Sequence, residues 1–299
     1  MSLDVNTVPP LLTPPEVLEV EPGRAPLRFV AALKSLLRRP SSLVAAVFVL
    51  LVLVAAAFPS LFTSYGPDTT AGADKLLSPN GAHWFGTDQL GRDLYTRVIY
   101  GAGRTILATL LAVGIAVVVG LLIGVVAGFF GRWVDALLMR VVDVALAIPA
   151  LLLALTIVIA LGFGTLPVAL SVAVSLSPGF ARTTRAEVLK IKHLPYIEAA
   201  RTGGAGWFRV LFRHILPNSW GSVFVLALLD LGTAVLVISA LSFLGLGAPP
   251  PAPEWGSLIS DGRNYLITSP WLSLIPGLFV ALVVFSVNHL SHAVEEAHQ

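Results

Sequence analysis

Few residues in this chain are of types that do chemistry, and their placement narrows what that chemistry is. Asp230 is the one carboxylate deep in an apolar stretch, where an ionisable side chain is costly and by default a functional candidate. Two readings fit it: a group lining a path that attracts a substrate ammonium, or a structural carboxylate, protonated or hydrogen-bonded between helices. The histidines give no metal site. His193 and His214 flank a basic loop, while His289, His292 and His298 lie near the C-terminus, and only His289 and His292 have even a weak ligand spacing. Cysteine is absent, so there is no thiolate and no disulfide framework. No GxxxxGK[ST] loop occurs, so the chain has no visible means of hydrolysing ATP itself. No catalytic residue is expected.

What remains is the run from Glu198 to Asn218, EAARTGGAGWFRVLFRHILPN, charged and glycine-broken within an apolar chain. Pro195 suits a first helical turn, Tyr196 to Arg201 extend it, and Gly203, Gly204 and Gly206 interrupt it before an amphipathic segment from Trp207 to Leu216. By composition this is also compatible with a solvated basic loop touching anionic headgroups. The apolar face Trp207, Phe208, Leu211, Phe212 and Ile215 instead calls for defined packing. The expected form is a bent knob suited to docking.

The elements that must position this knob are membrane helices. The chain is 56% hydrophobic and 12% charged, with mean hydropathy +0.85, where a soluble domain carries roughly 25% charged residues. The apolar residues fall in long blocks, not in the short alternating segments of an outer-membrane barrel. Six spans are predicted: Ser41 to Ser64, Thr105 to Phe130, Val144 to Gly162, Leu166 to Ala181, Ser219 to Leu244 and Trp271 to Leu290. The fourth is short and holds Pro178, so it is expected to run on into Arg182 to Val188. Residues 1–40 read as a proline-rich disordered tail followed by a basic flank, and 41–299 as the transmembrane domain. With the N-terminus inside, fourteen of the 19 Lys and Arg fall on the cytoplasmic side, which places both termini and the Glu198 loop there.

Three connecting segments carry further expectations. The outer loop 63–104 is read as an amphipathic helix from Thr87, with Asp88 and Arg92 paired at i,i+4 and Leu90, Leu94 and Val98 on one face. It either lies on the membrane surface or forms a lip over a path. The cytoplasmic loop is 182–218, and a second, proline-rich outer loop spans 245–270, with Trp255 and Trp271 at the interface. Gly120, Gly124 and Gly128 share nearly one helix face and predict a close helix approach. Pro149 predicts a kink, and Arg132, Asp135, Arg140 and Asp143 read as an interfacial collar paired at i,i+3.

The run from Glu198 resembles the "EAA" signature of the transmembrane subunits of bacterial ABC importers, with Glu198, Ala199, Ala200, Gly204, Leu216 and Pro217 at signature positions. His214, in HILPN, is typical of the dipeptide, oligopeptide and nickel branch. FGTDQLGRD at Phe85 to Asp93, GRWVDALLMRVVDVALAIPALLLAL at Gly131 to Leu155 and LSFLGLGAPPPAPEWGSLISDGR at Leu241 to Arg263 resemble the same branch. With the long N-terminal tail they are similar to its C-type permease. The resemblance implies an all-α, six-span type I importer permease in the bacterial plasma membrane. It implies as partners a homologous B-type permease, two ATP-binding subunits that hold ATP and Mg, an extracytoplasmic substrate-binding protein, membrane lipid and a peptide substrate, with no nucleic acid. It makes the Glu198 loop a coupling helix seated on an ATPase subunit. A nickel or other small-solute importer is the alternative, and a secondary transporter a more distant one.

Overall fold

A computed structural model describes residues 39–298 except 71 and 73. The expected tail and basic flank lie outside these residues but for their last two.

Among the described residues every long element is a helix. These are α1 (Pro40–Ala57), α2 (Leu94–Phe130), α3 (Arg132–Leu146), α4 (Ala150–Leu161), α5 (Thr165–Lys192), α6 (Pro195–Thr202), α7 (Trp207–Phe243), α8 (Trp255–Gly262) and α9 (Trp271–His298). By length and apolarity α1, α2, α7 and α9 can each cross a membrane, and α3 with α4 make a fifth candidate if the bent pair is one span. At 28 residues α5 is long enough, but Ser171, Ser175, Ser177 and Pro178 dilute its apolarity. Those four are buried against neighbouring helices rather than offered to lipid. It runs on to Lys192, as expected from the weak fourth span.

The seam between α2 and α5 is the centre of the bundle. Gly120, Gly124 and Gly128 face Phe180, Thr184 and Val188, and a methyl group at any of them would come under 3.0 Å from α5 atoms. Lipid supplies little hydrophobic drive between helices, so this close van der Waals fit is what associates them. Around it lies a core of small and branched side chains, including Ala108, Ala112 and Ala116 of α2, Val158 of α4, Val172 of α5 and Ile238 of α7. Within α5, Pro178 removes one backbone donor, and the Ser177 hydroxyl donates instead to the Val174 carbonyl at 3.0 Å.

The structure corrects four expectations. No helix starts at Thr87. Gly86 and Gly91 take φ of +77° and +78°, and the Asp88 carboxylate accepts from the N–H groups of Leu90 (2.8 Å) and Arg92 (3.0 Å) in a closed turn. α2 begins only at Leu94, capped by Asp93, which accepts from Thr96 N–H at 2.7 Å. It then continues unbroken for 37 residues, eleven before the predicted span. The predicted Asp88–Arg92 ion pair does exist, at 2.6 Å, but inside this turn. Second, Pro149 does not kink a helix; it stands at the N-terminal boundary of α4, and α3 and α4 meet at 95°. The 12 residues of α4 reach about 18 Å, short of a span. Third, the collar carboxylates pair between helices, not along α3. Asp135 accepts from Arg185 Nη2 at 2.7 Å and Asp143 from Arg182 Nη2 at 2.6 Å, both donors on α5. Fourth, Trp255 is no interface residue. It is fully buried, its Nε1 donating to the Val98 carbonyl at 2.9 Å.

Opposite the α6 end of the bundle, Arg97 ties the connecting segments together. Its guanidinium is almost fully buried, donates to the Pro67 carbonyl at 3.2 Å and the Pro251 carbonyl at 3.4 Å, and lies 3.6 Å from Asp68 and 3.7 Å from Asp88. Segment 63–93 and segment 245–254 are thereby fastened to the start of α2.

Candidate functional site

The run from Glu198 folds into α6 and the first turns of α7, and each local feature has a cause in the sequence. Pro195 opens α6 in the first turn, where its missing N–H costs nothing. The helix ends at Thr202 in a Schellman motif. Ala205 N–H donates to the Ala200 carbonyl (3.0 Å) and Gly204 N–H to the Arg201 carbonyl (3.0 Å), with Gly204 at φ +83°. Gly203 is the capping residue at φ −71°. The glycine cluster therefore terminates the helix by hydrogen bonding and does not merely loosen it. Gly206, at φ −61°, is the extended residue that starts α7.

Trp207 to Leu216 is not a separate piece. It is continuous with the apolar helix, giving a 37-residue α7. Pro217 has no N–H to offer the carbonyl one turn back, and the chain accommodates it with a wide turn over Leu211–Ile215, where Leu216 N–H reaches the Leu211 carbonyl. Asn218 Nδ2 donates to the freed-up end of this turn at the His214 carbonyl, 2.6 Å. The predicted apolar face divides accordingly. Leu211 and Ile215 are buried, joined by Val210 and by Ile197 of α6, against Val188 and Ile191 of α5. Trp207, Phe208 and Phe212 are instead half or more exposed.

Of the predicted site residues, Glu198, Ala199 and Gly204 are exposed on the outer side of α6 and its cap, and Ala200 is half-buried. His214 and Leu216 are half-buried and Pro217 exposed. The Tyr196 and His214 rings meet edge to face with centroids 6.1 Å apart, and Asn218 Nδ2 donates to the Tyr196 hydroxyl at 3.2 Å. Partial burial raises the Tyr196 pKa above the ordinary phenol value. Tyr196, Asn218 and His214 thus brace the knob onto α7. Sequence reading missed Tyr196 and Asn218 in this role, because their partners lie 18 to 22 positions away and only the turn between α6 and α7 brings them together. The arrangement brings together no nucleophile with a paired acid and base. What it offers is a short capped helix held rigidly on a buried stem.

Asp230 lies on the same helix, 12 residues beyond Asn218, in the apolar part of α7. It is half-buried and makes no hydrogen bond or ion pair among the described residues. Two residues on, Gly232 admits the side chain of Asn288 from α9.

Residues 120–297, more than half of the chain, match the family described as "Binding-protein-dependent transport system inner membrane component". The chain belongs to this family of inner-membrane permeases. A "Dipeptide transport system permease protein DppC" of Alkalihalophilus pseudofirmus is 37% identical over 89% of the permease and 88% of that protein. A "Glutathione transport system permease protein GsiD" of Pectobacterium atrosepticum is 36% identical over 87% of each. A "Probable D,D-dipeptide transport system permease protein DdpC" of Escherichia coli is 36% identical over 83% and 84%. Among solved structures, the inward-facing MetNI methionine ABC transporter aligns with a TM-score of 0.52 at 20% identity, covering 66% of the permease and 96% of that chain. An amino acid ABC transporter with histidines gives 0.53 at 17%, covering 68% and 94%. The fold is that of ABC importer permeases.

Proposed function

We propose that this chain is one permease subunit of an ATP-driven importer of dipeptides or oligopeptides, and that α6 is its contact with an ATPase subunit. The observation that carries the reading is the geometry of the knob. Glu198, Ala199 and Gly204 are presented outward on a helix whose inner side, through Ile197, is locked to α5 and α7. Force applied there reaches long apolar helices without an intervening flexible joint, as rigid-body alternating access requires. The relatives' transport of dipeptides and glutathione, itself a small peptide, supports the substrate class.

In this reading six spans cross the membrane with both termini in the cytoplasm. α5 is the inward-facing sixth helix, and α3 with α4 form a broken span. Segments 63–104 and 245–270 face outward to an extracytoplasmic binding protein, and 182–218 faces inward to the ATPases. A homologous B-type permease completes the path, which Asp230 lines. ATP and Mg are held by the two partner ATPase subunits, and this chain catalyses nothing.

The complex of the two permeases and two ATPases, reconstituted in vesicles, tests the proposal. Its ATP hydrolysis should rise when peptide-loaded binding protein is added. Glu198→Arg should leave the chain in the membrane and abolish both that rise and uptake. Full uptake by Glu198→Arg would defeat the role given to α6, and failure of the chain to copurify with any nucleotide-binding subunit would defeat the importer.

A further inference from the structure

Beside α6 the exposed surface is neither bare helix nor ordinary solvent-facing loop. Five aromatic rings follow one another from the end of α2 to the second turn of α7: Phe129, Phe130, Trp207, Phe208 and Phe212. Neighbouring centroids are 4.4–6.3 Å apart. Four of the five are more than half or about half exposed, Phe130 at 53%, Trp207 at 59%, Phe208 at 60% and Phe212 at 50%. A row of this kind is expensive in water. It begins where the 37-residue apolar helix α2 stops, and Lys192 marks that level by donating to the Phe129 carbonyl at 2.6 Å. Rings at the depth where a membrane helix ends are in the position that amphipathic aromatic groups favour at a bilayer interface.

Alongside the rings run cations. Arg209 and Arg213 stand one turn apart on α7, next to Phe208 and Phe212, and both are exposed. Neither forms an ion pair among the described residues, and no Asp or Glu occurs anywhere from Ala199 to Leu229. The two arginines and two phenylalanines, with Gly204 and Gly206, line an open concavity of about 740 Å³ between the end of α6 and the start of α7. The wide turn at Leu211–Ile215 buries Leu211 and Ile215 and leaves this polar-aromatic side outward.

The geometry points to a site for an anionic phospholipid, its phosphate held by Arg209 and Arg213 and its glycerol and upper acyl region laid against the aromatic row. The inference rests on the orientation given above, in which α6 lies at the cytoplasmic leaflet, the leaflet whose anionic lipids attract basic juxtamembrane segments. A guanidinium pair one turn apart suits phosphate, and the adjacent rings exclude water from it. A headgroup seated there would abut Gly204, so the lipid would share an edge with the face offered to the ATPase. An ATPase surface is the competing occupant. The test separates the two.

The complex of both permeases and both ATPases is placed in nanodiscs containing graded brominated phosphatidylglycerol or brominated phosphatidylcholine, and quenching of tryptophan fluorescence is measured. The component of quenching removed by Trp207→Phe reports this surface. It should reach half-maximum at a lower fraction of the glycerol lipid than of the choline lipid. The double variant R209Q/R213Q should lose that preference, by up to about 25-fold if each cation contributes about fivefold, while R209K/R213K keeps most of it. Copurification of ATPase subunits with R209Q/R213Q should match the unaltered complex. Equal quenching by the two lipids in the unaltered complex overturns the site. So does a double variant that keeps its lipid preference but sheds the ATPase, since the face would then seat protein. A lipid preference without any ATPase in the complex would keep the site and overturn the importer reading instead.

Discussion

Gly204 and Gly206 permit a sharp test of the claim that α6 acts as a rigid contact. At both positions an added Cβ would meet no heavy atom within 4 Å, so alanine is sterically free at either. Their backbone conformations differ: Gly204 is at φ +83° and Gly206 at φ −61°. An L-residue in the left-handed region costs roughly 1–2 kcal/mol, and at Gly204 that strain falls on the two hydrogen bonds closing the Schellman motif. The end of α6 that carries Ala199 and Ala200 would fray. A penalty of that size shifts the population of the capped form by about 5- to 30-fold. Gly204→Ala should therefore reduce binding-protein-stimulated ATP hydrolysis and uptake several-fold at unchanged membrane abundance. Gly206→Ala should stay within about twofold, as an unstrained surface change does. Gly204→Asn, whose side chain tolerates the left-handed region, should fall between them. Measurement is by uptake and stimulated hydrolysis in proteoliposomes, with basal hydrolysis as the control. If Gly204→Ala and Gly206→Ala behave alike, the cap geometry is not what presents the contact, and the reasoning fails.

Three other outcomes are expected. Gly124→Ala places a methyl 2.5 Å from the Ala181 carbonyl oxygen and Thr184 Cβ, so α2 and α5 must part and the complex should lose about 1–3 kcal/mol of stability. Gly114→Ala in the same helix meets nothing within 4 Å and should be neutral or stabilising by up to about 1 kcal/mol. Thermal denaturation in detergent compares the two, and equal melting would refute the seam. Arg97→Met leaves Asp88 its partner Arg92 but removes the donor to Pro67 and Pro251. It should cost about 1–3 kcal/mol and open segment 63–93 to limited proteolysis while α6 stays protected. Asp230→Asn should lower uptake of a peptide with a free amino terminus by about fivefold and leave an N-acetylated peptide unaffected; equal loss for both would exclude an ammonium contact.

The knob was readable because the residues that shape it are unambiguous. Pro195 starts a helix, and Gly204 ends one. The glycine stripe of α2 likewise declared a close approach, and the structure supplied its partner, α5. The start of α2 was hidden for a physical reason. Asp88 and Arg92 have helical spacing and do pair, but Gly91 between them is left-handed, and a pairwise charge pattern cannot distinguish a tight turn from a helix. The α3–α4 break was also hidden, since Val144 to Leu161 is apolar on both sides of Pro149 and composition carries no angle. The carboxylates of α3 had local cations at the right spacing in Arg132 and Arg140, yet α5 supplies Arg182 and Arg185 from 39 and 50 positions away. The continuity of Trp207–Leu216 with the apolar helix was hidden as well, because a wide turn that absorbs Pro217 leaves no compositional mark.

The unbroken length of α2 turns the glycine seam into a fulcrum. The 37 residues of this helix extend about 55 Å at 1.5 Å each, against about 30 Å of bilayer hydrocarbon. Gly120, the nearest point of the seam, is about 26 residues from Leu94, a lever arm of about 39 Å. A tilt of about 5° at the seam would carry Leu94, and the segments that Arg97 fastens to it, through about 3 Å. That is roughly the width of a water molecule. Displacing the segments at the Leu94 end by that width therefore asks of the permease only a small rotation at its middle, provided the rod does not bend.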